Sequence, residues 1–265
     1  MSTPVISTRN ARFQQWQALL GNRTKRHRAG AFVVHGVRPI SLAAGNGWPF
    51  EMLLHPADRP LSNWARELLA GTDAPRMAMT AELLRELGDK EADTPELIAV
   101  VRTPPDDLTR IPVPADFLGV VFDRPVGPGN VGTLVRSADA LGAHGLVVTG
   151  HAADVYDPKA VRASTGSLFG LPVVRTGSHR EVLDWIGDRA RIVGTDEVGT
   201  VDLAAADLTG PTLLVIGNET AGMSVGWRES CDEVARIPIV GSASSLNAAN
   251  AGSIVLYEAA RQRNR

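Results

Sequence analysis

A turn rich in glycine and proline separates an apolar run from a helix-period segment near the middle of this chain of 265 residues. Its residues Gly127, Gly129 and Gly132 fit the spacing G-x-G-x-x-G, which binds the pyrophosphate of a dinucleotide when it joins a strand to a helix. Such a site also needs an acidic residue about 20 positions further on, and the next predicted strand ends at Thr149 without one. Pro128 lacks one of the amides that would face the pyrophosphate. A dinucleotide-binding oxidoreductase using NAD(P) is therefore only a remote hypothesis.

A second short motif lies at 222–226, where Gly-Met-Ser-Val-Gly has the G-x-S-x-G pattern of the nucleophile elbow in hydrolases. In that fold the catalytic histidine follows the serine along the chain, whereas all six histidines of this sequence precede Ser224. The apolar run at 212–216 also ends too early to place Ser224 on a sharp strand-to-helix turn. The hydrolase hypothesis is therefore disfavoured.

Three segments of the second half share a strand–loop–helix character, with glycine and small polar residues at each turn; they are residues 126–143, 213–224 and 236–262. Backbone amides and carbonyls in such turns can hold an adenosyl group without large side chains. In order and spacing, the three segments resemble the three motifs of the SpoU branch of the SPOUT RNA methyltransferases. The resemblance covers roughly residues 118–262.

This resemblance implies transfer of a methyl group from S-adenosyl-L-methionine to a ribose 2′-hydroxyl of RNA, without a metal because the donor is a sulfonium. Arg136 matches the catalytic arginine of the family. Because arginine stays protonated, we favour a role in holding the substrate phosphate and stabilising the developing alkoxide over a role as general base. The other catalytic candidates implied by the motifs are Asn130, Glu219, Ser245 and Asn247. The cofactor-binding candidates, mostly through main-chain contacts, are Thr195, Ile216, Gly217, Ile237, Leu246 and Asn247.

Charge is distributed unevenly along the chain. The first 50 residues carry seven basic side chains and no Asp or Glu, so all 29 acidic residues follow them. This asymmetry favours a polyanion partner for the N-terminal part. The pattern from Ile6-Ser7 through Asn10 to the segment 32–36 also resembles the L30e-like RNA-binding domain that accompanies the family. The RNA-binding candidates are Arg9, Arg23, Lys25, Arg26, Arg28 and, by its match to a basic residue near the active site of related enzymes, Arg162.

Strands alternating with helices predict the α/β class in both halves of the chain. Four prolines between Thr103 and Asp116 indicate a stiff linker, so the predicted organisation is an L30e-like domain at 1–103, a linker at 104–116 and a methyltransferase domain at 117–265. The resemblance implies that the last domain is a parallel sheet with a deep trefoil knot. It also implies a homodimer in which both subunits contribute to the site.

Four local predictions concern the elements around these residues. A helix is expected at 10–20 with Asn10 as its N-cap, followed by a loop or frayed end at Arg23–Arg28. A helix is expected from Asp157 to about Leu168, and a final helix from about Ser245 to Arg263.

The sequence as a whole narrows the functional class. Cys231 is the only cysteine, which excludes an intramolecular disulfide and a cysteine-rich zinc site. We see neither a signal peptide nor an apolar stretch approaching the ~20 residues of a membrane span, and expect a soluble cytoplasmic protein. The expected function is methylation of ribosomal RNA (23S-type) first and transfer RNA second. The rival from another class is an RNA-binding protein that has lost catalysis.

Overall fold

A computed structural model describes residues 5–88 and 94–263. The chain divides into two compact units. Unit 1 comprises Met1–Pro104 and Tyr156–Val161, and unit 2 comprises Pro105–Val155 and Arg162–Arg265. Among the described residues, no helix is long and apolar enough to cross a membrane.

Unit 1 is centred on a mixed sheet. In the described residues its strands are β1 (Val5–Ile6), β2 (Ala31–His35), β3 (Phe50–Pro56), β4 (Arg76–Met79) and β5 (Ile98–Arg102). They lie in the order β1-β4-β3-β5-β2, with β5 antiparallel to both of its neighbours and the other pairs parallel. The helices are α1 (Ala11–Gly21), α2 (Arg23–Ala29), α3 (Val37–Gly45), α4 (Asn63–Ala70) and α5 (Ala81–Gly88).

The start of α1 is confirmed, and the loop expected after it is wrong. Asn10 caps α1, because its side chain accepts a hydrogen bond from the amide of Phe13 at 3.0 Å. The basic residues that follow form α2 instead of a loop. Asn22 accepts from the amide of Lys25 at 3.0 Å, and Gly30 ends the helix with a φ of 59°. A cap at each end therefore makes a short helix out of a charged stretch that lacks an apolar stripe.

Unit 2 contains a seven-stranded parallel sheet in the order β10-β12-β9-β11-β6-β7-β8. Its strands are β6 (Leu118–Asp123), β7 (Gly145–Thr149), β8 (Val173–Thr176), β9 (Arg191–Thr195), β10 (Val201–Asp202), β11 (Thr212–Ile216) and β12 (Glu233–Arg236). The helices of this half of the chain are α6 (Pro128–Ala140), α7 (Pro158–Ala163), α8 (His179–Ile186), α9 (Val225–Ser230) and α10 (Ala248–Arg263). Every residue of β6, β7 and β11 is buried, as expected for parallel strands covered on both faces.

Two helix boundaries differ from those expected. The helix at Asp157 ends at Ala163 rather than near Leu168, because Thr165 and Gly166 have φ angles of 50° and 101° that a helix cannot continue. The final helix begins at Ala248 rather than near Ser245. The predicted trefoil knot stays a prediction.

The proline-rich segment after Pro104 packs on unit 2. Asp106 pairs with Arg175 of β8 at 2.6 Å, and Arg110 donates to the carbonyl oxygen of Val173 at 3.1 Å. Ile111 is buried in the core of the unit. Side-chain pairing therefore fixes a segment whose prolines had indicated a spacer between domains.

The C-terminal end of α10 is held by one arginine. The guanidinium of Arg263 donates to four carbonyl oxygens, at 2.5 to 3.1 Å, which belong to Asp116, Phe117, Leu208 and Gly210. These bonds fix the end of α10 beside the start of β6 and the segment that precedes β11. The position of α10 matters because its first turn contributes to the site described next.

Candidate active site and ligand pocket

The candidate residues of unit 2 lie at the carboxyl ends of its parallel strands. β6 and β11 are hydrogen-bonded neighbours, yet the chain leaves β6 toward β7 on the opposite side. This arrangement makes the edge between β6 and β11 a topological switch point, where open α/β sheets bind their ligands. The loops that follow β6, β9, β11 and β12 all lie at that edge.

A cavity of about 450 Å³ opens between the loops after β9, β11 and β12; we call it the loop pocket. Its volume falls in the range of small-molecule sites. Five of the six predicted cofactor-binding residues line it, namely Thr195, Ile216, Gly217, Ile237 and Leu246. The sixth, Asn247, is not among the lining residues. Small residues such as Ala221, Ala248 and Ala251 form much of the remaining wall.

The β11 loop, residues 217–222, is a compact turn. The backbones of Asn218 and Gly222 exchange two hydrogen bonds, at 2.9 and 3.1 Å. The Asn218 side chain accepts from the amides of Thr220 and Ala221. A Cβ atom at residue 217 would lie 2.5 Å from backbone atoms at 222–223, so only glycine fits there. The loop is thus pre-shaped and presents mostly backbone to the pocket.

Glu219 connects the β11 loop to the glycine-rich turn before α6. Its carboxylate accepts hydrogen bonds from the amides of Val126 at 2.9 Å and Gly127 at 3.0 Å, and from Asn130 Nδ2 at 2.9 Å. Burial opposes ionisation of Glu219, but these hydrogen bonds outweigh it and lower the pKa of the carboxyl. The group is therefore an anion at neutral pH, placed where the α6 dipole favours negative charge.

The position of Glu219 overturns the dinucleotide hypothesis. A pyrophosphate on the Gly127–Gly132 turn would need the free amides at the start of α6. Two of the amides in this turn already donate to the Glu219 carboxylate, and a second anion there would be repelled. Gly127 instead donates its amide to Glu219 and so connects the turn to the β11 loop.

Asn130 and Asn247 bring the third motif into the same network. Asn247 Nδ2 donates to Asn130 Oδ1 at 3.1 Å, while Asn247 Oδ1 accepts from the amides of Ala249 and Asn250. Asn247 therefore caps α10 and also touches α6, which explains why α10 begins at Ala248. The chain of contacts Glu219–Asn130–Asn247 joins the three motifs side chain to side chain.

A second connection between the β6 and β11 loops was not predicted. Arg124 has a φ of 51°, a strained conformation for a residue with a Cβ. Its guanidinium donates to the carbonyl oxygen of Gly222 at 3.2 Å, and its own carbonyl accepts from Asn218 Nδ2 at 2.5 Å. Asp123, which is buried, accepts from the amide of Ser224 at 2.7 Å. A lone arginine after a strand has no periodic or motif signal that would reveal this role.

Ser224 belongs to this support and not to a hydrolase. It immediately precedes α9. Within the described ranges, its hydroxyl makes no hydrogen bond to a histidine. The order of the histidines along the chain had already disfavoured the nucleophile elbow.

Three further charged residues line the loop pocket, and the sequence analysis did not predict them as site residues. They are Asp196 and Glu197, directly after β9, and Arg228 on α9. Arg228 Nη2 lies 2.8 Å from Asp196 Oδ2. Together they give the pocket a charged side in addition to its aliphatic and main-chain walls.

Arg136 and Ser245 differ in their relation to the pocket. Ser245 lines it, in the exposed loop before α10. Arg136 lies on the exposed side of α6, opposite the buried residues Val131, Leu134 and Ala138. Arg136 is not among the lining residues, and within 5–88 and 94–263 its side chain has no hydrogen bond or ion pair. Its guanidinium is thus available to a bound molecule.

The predicted RNA-binding residue Arg26 is not available to RNA. It is 2% exposed, and its guanidinium donates to the carbonyl oxygens of Leu19 and Leu20 and to Asp157 of the same unit. The prediction of Arg26 as an RNA contact is therefore wrong, because its buried guanidinium is already bonded to acceptors within the protein and stabilises the core.

The other basic candidates are exposed. Arg9 pairs with Glu82 and Glu86, which offsets its charge. Arg23, Lys25 and Arg28 are exposed on α2, and Arg162 is exposed at the end of α7. The α2 residues form a basic patch of three cations, which we call the α2 patch.

The one cysteine is a weak nucleophile, and the described residues contain no cluster of metal-ligating side chains. Burial, aided by the nearby Asp232, raises the pKa of the Cys231 thiol to about 12, so the thiol is protonated at neutral pH and a poor nucleophile. Within 5–88 and 94–263, no three His, Cys, Asp or Glu side chains are grouped as metal ligands.

Fold and site together define a class of protein: a parallel α/β domain with a ligand pocket at the carboxyl ends of its strands, combined with a smaller α/β unit. Residues 10–99 match the SpoU L30e-like domain, and residues 118–257 match the SpoU rRNA Methylase family. The chain belongs to the SpoU rRNA methylase family, which confirms the family predicted from the three motifs.

Relatives extend over nearly the whole chain. A 23S rRNA (uridine(2479)-2′-O)-methyltransferase of Streptomyces viridochromogenes is 62% identical over 97% of this chain and 92% of its own length. The crystal structure of the SpoU methyltransferase AviRb from Streptomyces viridochromogenes, in complex with the cofactor AdoMet, has a TM-score of 0.92 at 62% identity, over 97% of this chain and 99% of that one.

More distant relatives are also named as RNA methyltransferases. An AdoMet-bound rRNA methyltransferase from Sinorhizobium meliloti has a TM-score of 0.87 at 27% identity, over 97% and 98% of the two chains. An uncharacterized tRNA/rRNA methyltransferase of Mycobacterium sp. (strain KMS) is 40% identical over 60% of this chain and 52% of its own length. The predicted α/β fold with a C-terminal parallel sheet is confirmed.

Proposed function

We propose that this protein transfers a methyl group from S-adenosyl-L-methionine to a ribose 2′-hydroxyl of 23S ribosomal RNA. The observation that carries the proposal is the Glu219–Asn130–Asn247 chain, which assembles three separated motifs beside the loop pocket. The 62% identical relative named as a 23S rRNA 2′-O-methyltransferase supports the same reaction.

The loop pocket fits the cofactor. Its aliphatic residues Ile216, Ile237 and Leu246 suit the faces of an adenine ring, while the backbone of the β11 loop offers donors and acceptors for its edge. Its small residues leave about 450 Å³ free. When bound, the cofactor supplies an electrophilic methyl group on a sulfonium.

The residues of the chain then have distinct roles. Arg136 holds a phosphate of the RNA and stabilises the negative charge that develops on the 2′-oxygen, because its guanidinium is permanently charged and exposed. Glu219 and Asn130 are positioning residues that fix the start of the helix bearing Arg136. Ser245 and Asn247 shape the loop between the pocket and α6.

The proposed substrate is ribosomal RNA rather than transfer RNA. The 23S enzyme matches over 97% of this chain, whereas the tRNA/rRNA relative matches over only 60%. We assign RNA binding to an L30e-like domain at 1–103, joined through 104–116 to a methyltransferase domain at 117–265. The α2 patch supplies cations for the phosphate backbone. Action on ribosomal RNA implies a cytoplasmic protein.

We also infer that the protein is a homodimer. Asn250, Ile254 and Tyr257 follow one another at helical spacing on the outer face of α10, where Ile254 is 40% and Tyr257 is 61% exposed. Exposed apolar residues on one helix face favour a protein interface. A partner subunit on this face would lie beside the loop before α10.

The experiment is ribose-methylation mapping of 23S ribosomal RNA after incubation with the purified protein and cofactor. We expect one methylated uridine with the parent protein, and its loss with Arg136→Ala. Arg136→Lys keeps the charge but not the two-pronged geometry, and should retain part of the activity. RNA binding without any methylation by the parent would support the RNA-binding rival and contradict the proposal.

A further inference from the structure

One side of the loop pocket is charged, in addition to its aliphatic and main-chain walls. Four charged residues line it: Asp196, Glu197, Glu219 and Arg228. Glu219 is engaged away from the pocket, because its carboxylate accepts from the turn before α6. The charges left to meet a ligand are the Asp196–Arg228 pair and Glu197.

Arg228 is the member of this group with donors to spare. A guanidinium has five N–H donors. In the described structure the Arg228 side chain makes one hydrogen bond, from Nη2 to Asp196 Oδ2 at 2.8 Å. Its side chain is 50% exposed. Four of its donors therefore remain open to a molecule in the pocket.

Asp196 has the opposite character. Its side chain is only 9% exposed, and its second oxygen accepts from the amide of Val198 at 3.2 Å. With both oxygens engaged, Asp196 suits a positioning role. It fixes one edge of the Arg228 guanidinium and leaves the remaining donors without a partner among the described residues.

We propose that Arg228, held by Asp196, binds the α-carboxylate of the methionyl part of S-adenosylmethionine. This inference rests on the proposed function. A planar guanidinium with open donors matches a carboxylate better than any other group of that molecule, since the adenine, ribose and sulfonium carry no negative charge. Arg228 is also the only cation among the residues described as lining the pocket.

The alternative for this side of the pocket is the ribose diol, which acidic residues at strand ends bind in dinucleotide folds. Asp196 does follow β9 directly, but its oxygens are already engaged and nearly buried. Little of the Asp196 carboxylate is therefore exposed to a diol, whereas a ligand carboxylate would use Arg228 donors that have no partner among the described residues.

The test compares two probes that differ only at the amino-acid end. S-adenosylhomocysteine carries the carboxylate, and 5′-methylthioadenosine has the same thioether nucleoside without it. Affinities are measured by calorimetry for the parent, Arg228→Ala, Arg228→Lys and the control Arg180→Ala. Arg180 is exposed on α8 and does not line the pocket.

We expect Arg228→Ala to weaken S-adenosylhomocysteine about tenfold or more, the usual range for a hydrogen-bonded ion pair. Its affinity for 5′-methylthioadenosine should stay within about twofold of the parent. The affinity of Arg228→Lys for S-adenosylhomocysteine should lie between those of the parent and Arg228→Ala. Arg180→Ala should bind both probes as the parent does. If the Arg228→Ala variant does not fold, the affinities of Arg228→Gln for the same two probes test the assignment instead.

Equal losses for both probes would overturn the assignment and place Arg228 on the nucleoside or in the scaffold. Unchanged affinity for S-adenosylhomocysteine would overturn it as well. Both outcomes differ from failure of the proposed function, in which the parent itself would bind neither probe.

Discussion

At the scale of single residues, Glu219 controls the geometry of the site. One carboxylate accepts three hydrogen bonds and thereby fixes the backbone turn before α6 and the side chain of Asn130. Its pKa is lowered in the folded protein. Ionised Glu219 therefore stabilises the fold at neutral pH, and this stabilisation is lost as the pH falls through the lowered pKa.

We expect Glu219→Gln to reduce the turnover of methyl transfer about ten- to a hundredfold, in line with the loss of hydrogen bonds to a charged acceptor. The amide keeps the size of the side chain, but its NH₂ group would face donors. Turnover and the Michaelis constants for cofactor and RNA are measured separately, with Glu229→Gln on α9 as the control. Turnover equal to that of the parent would show that Glu219 positions nothing essential.

Site residues that belong to a sequence motif could be predicted from the sequence, whereas isolated charged residues of the site could not. Asn130, Glu219 and Asn247 were found because each belongs to one of three spaced patterns. Asp196 and Arg228 lie 32 positions apart and belong to no repeat or local motif, so only the fold brings them together. The burial of Arg26 was missed for a related reason, because a run of basic residues does not indicate which one faces the core.

At the scale of elements, α10 serves both the core and the outer surface. Val255, Leu256 and Ala259 are buried, while Ile254 and Tyr257 face outward. A final helix ending at Arg263 was predicted from the sequence, and the structure has it. Its first residue depended on the Asn247 side chain, and the same kind of cap, Asn22, made α2 a helix where charge alone indicated a loop.

We expect Tyr257→Arg to convert a dimer into a monomer, because a charge placed beside Ile254 on the exposed face of α10 loses its hydration when two copies meet. Molar mass is measured by light scattering across a range of protein concentrations. Val198→Arg is the control, since Val198 is 67% exposed but does not belong to α10. A monomeric parent protein would contradict the proposed homodimer.

At the scale of the whole molecule, the first 50 residues, with seven basic side chains and no acidic one, lie in unit 1, and the pocket lies in unit 2. The sequence shows an excess of positive charge in the first 50 residues. The structure reduces the RNA-binding candidates of unit 1 to the α2 patch. Binding of RNA and binding of the cofactor should therefore respond to different substitutions.

We expect replacement of Arg23, Lys25 and Arg28 by alanine to weaken RNA binding about tenfold or more and to flatten its salt dependence by about two units of slope. Affinity for S-adenosylhomocysteine should not change. The control replaces three other exposed arginines, Arg85, Arg102 and Arg180. An equal effect of both triple variants would mean that net charge, and not the α2 patch, determines affinity.

The bond between Asn130 and Asn247 spans 117 positions of the chain. Synthesis proceeds from the N-terminus, and domains fold as their residues emerge. Unit 1 and most of the parallel sheet can form early, but the side chain that completes the three-motif contact is among the last to be made. We therefore expect the three-motif contact to form only after nearly the whole chain has left the ribosome.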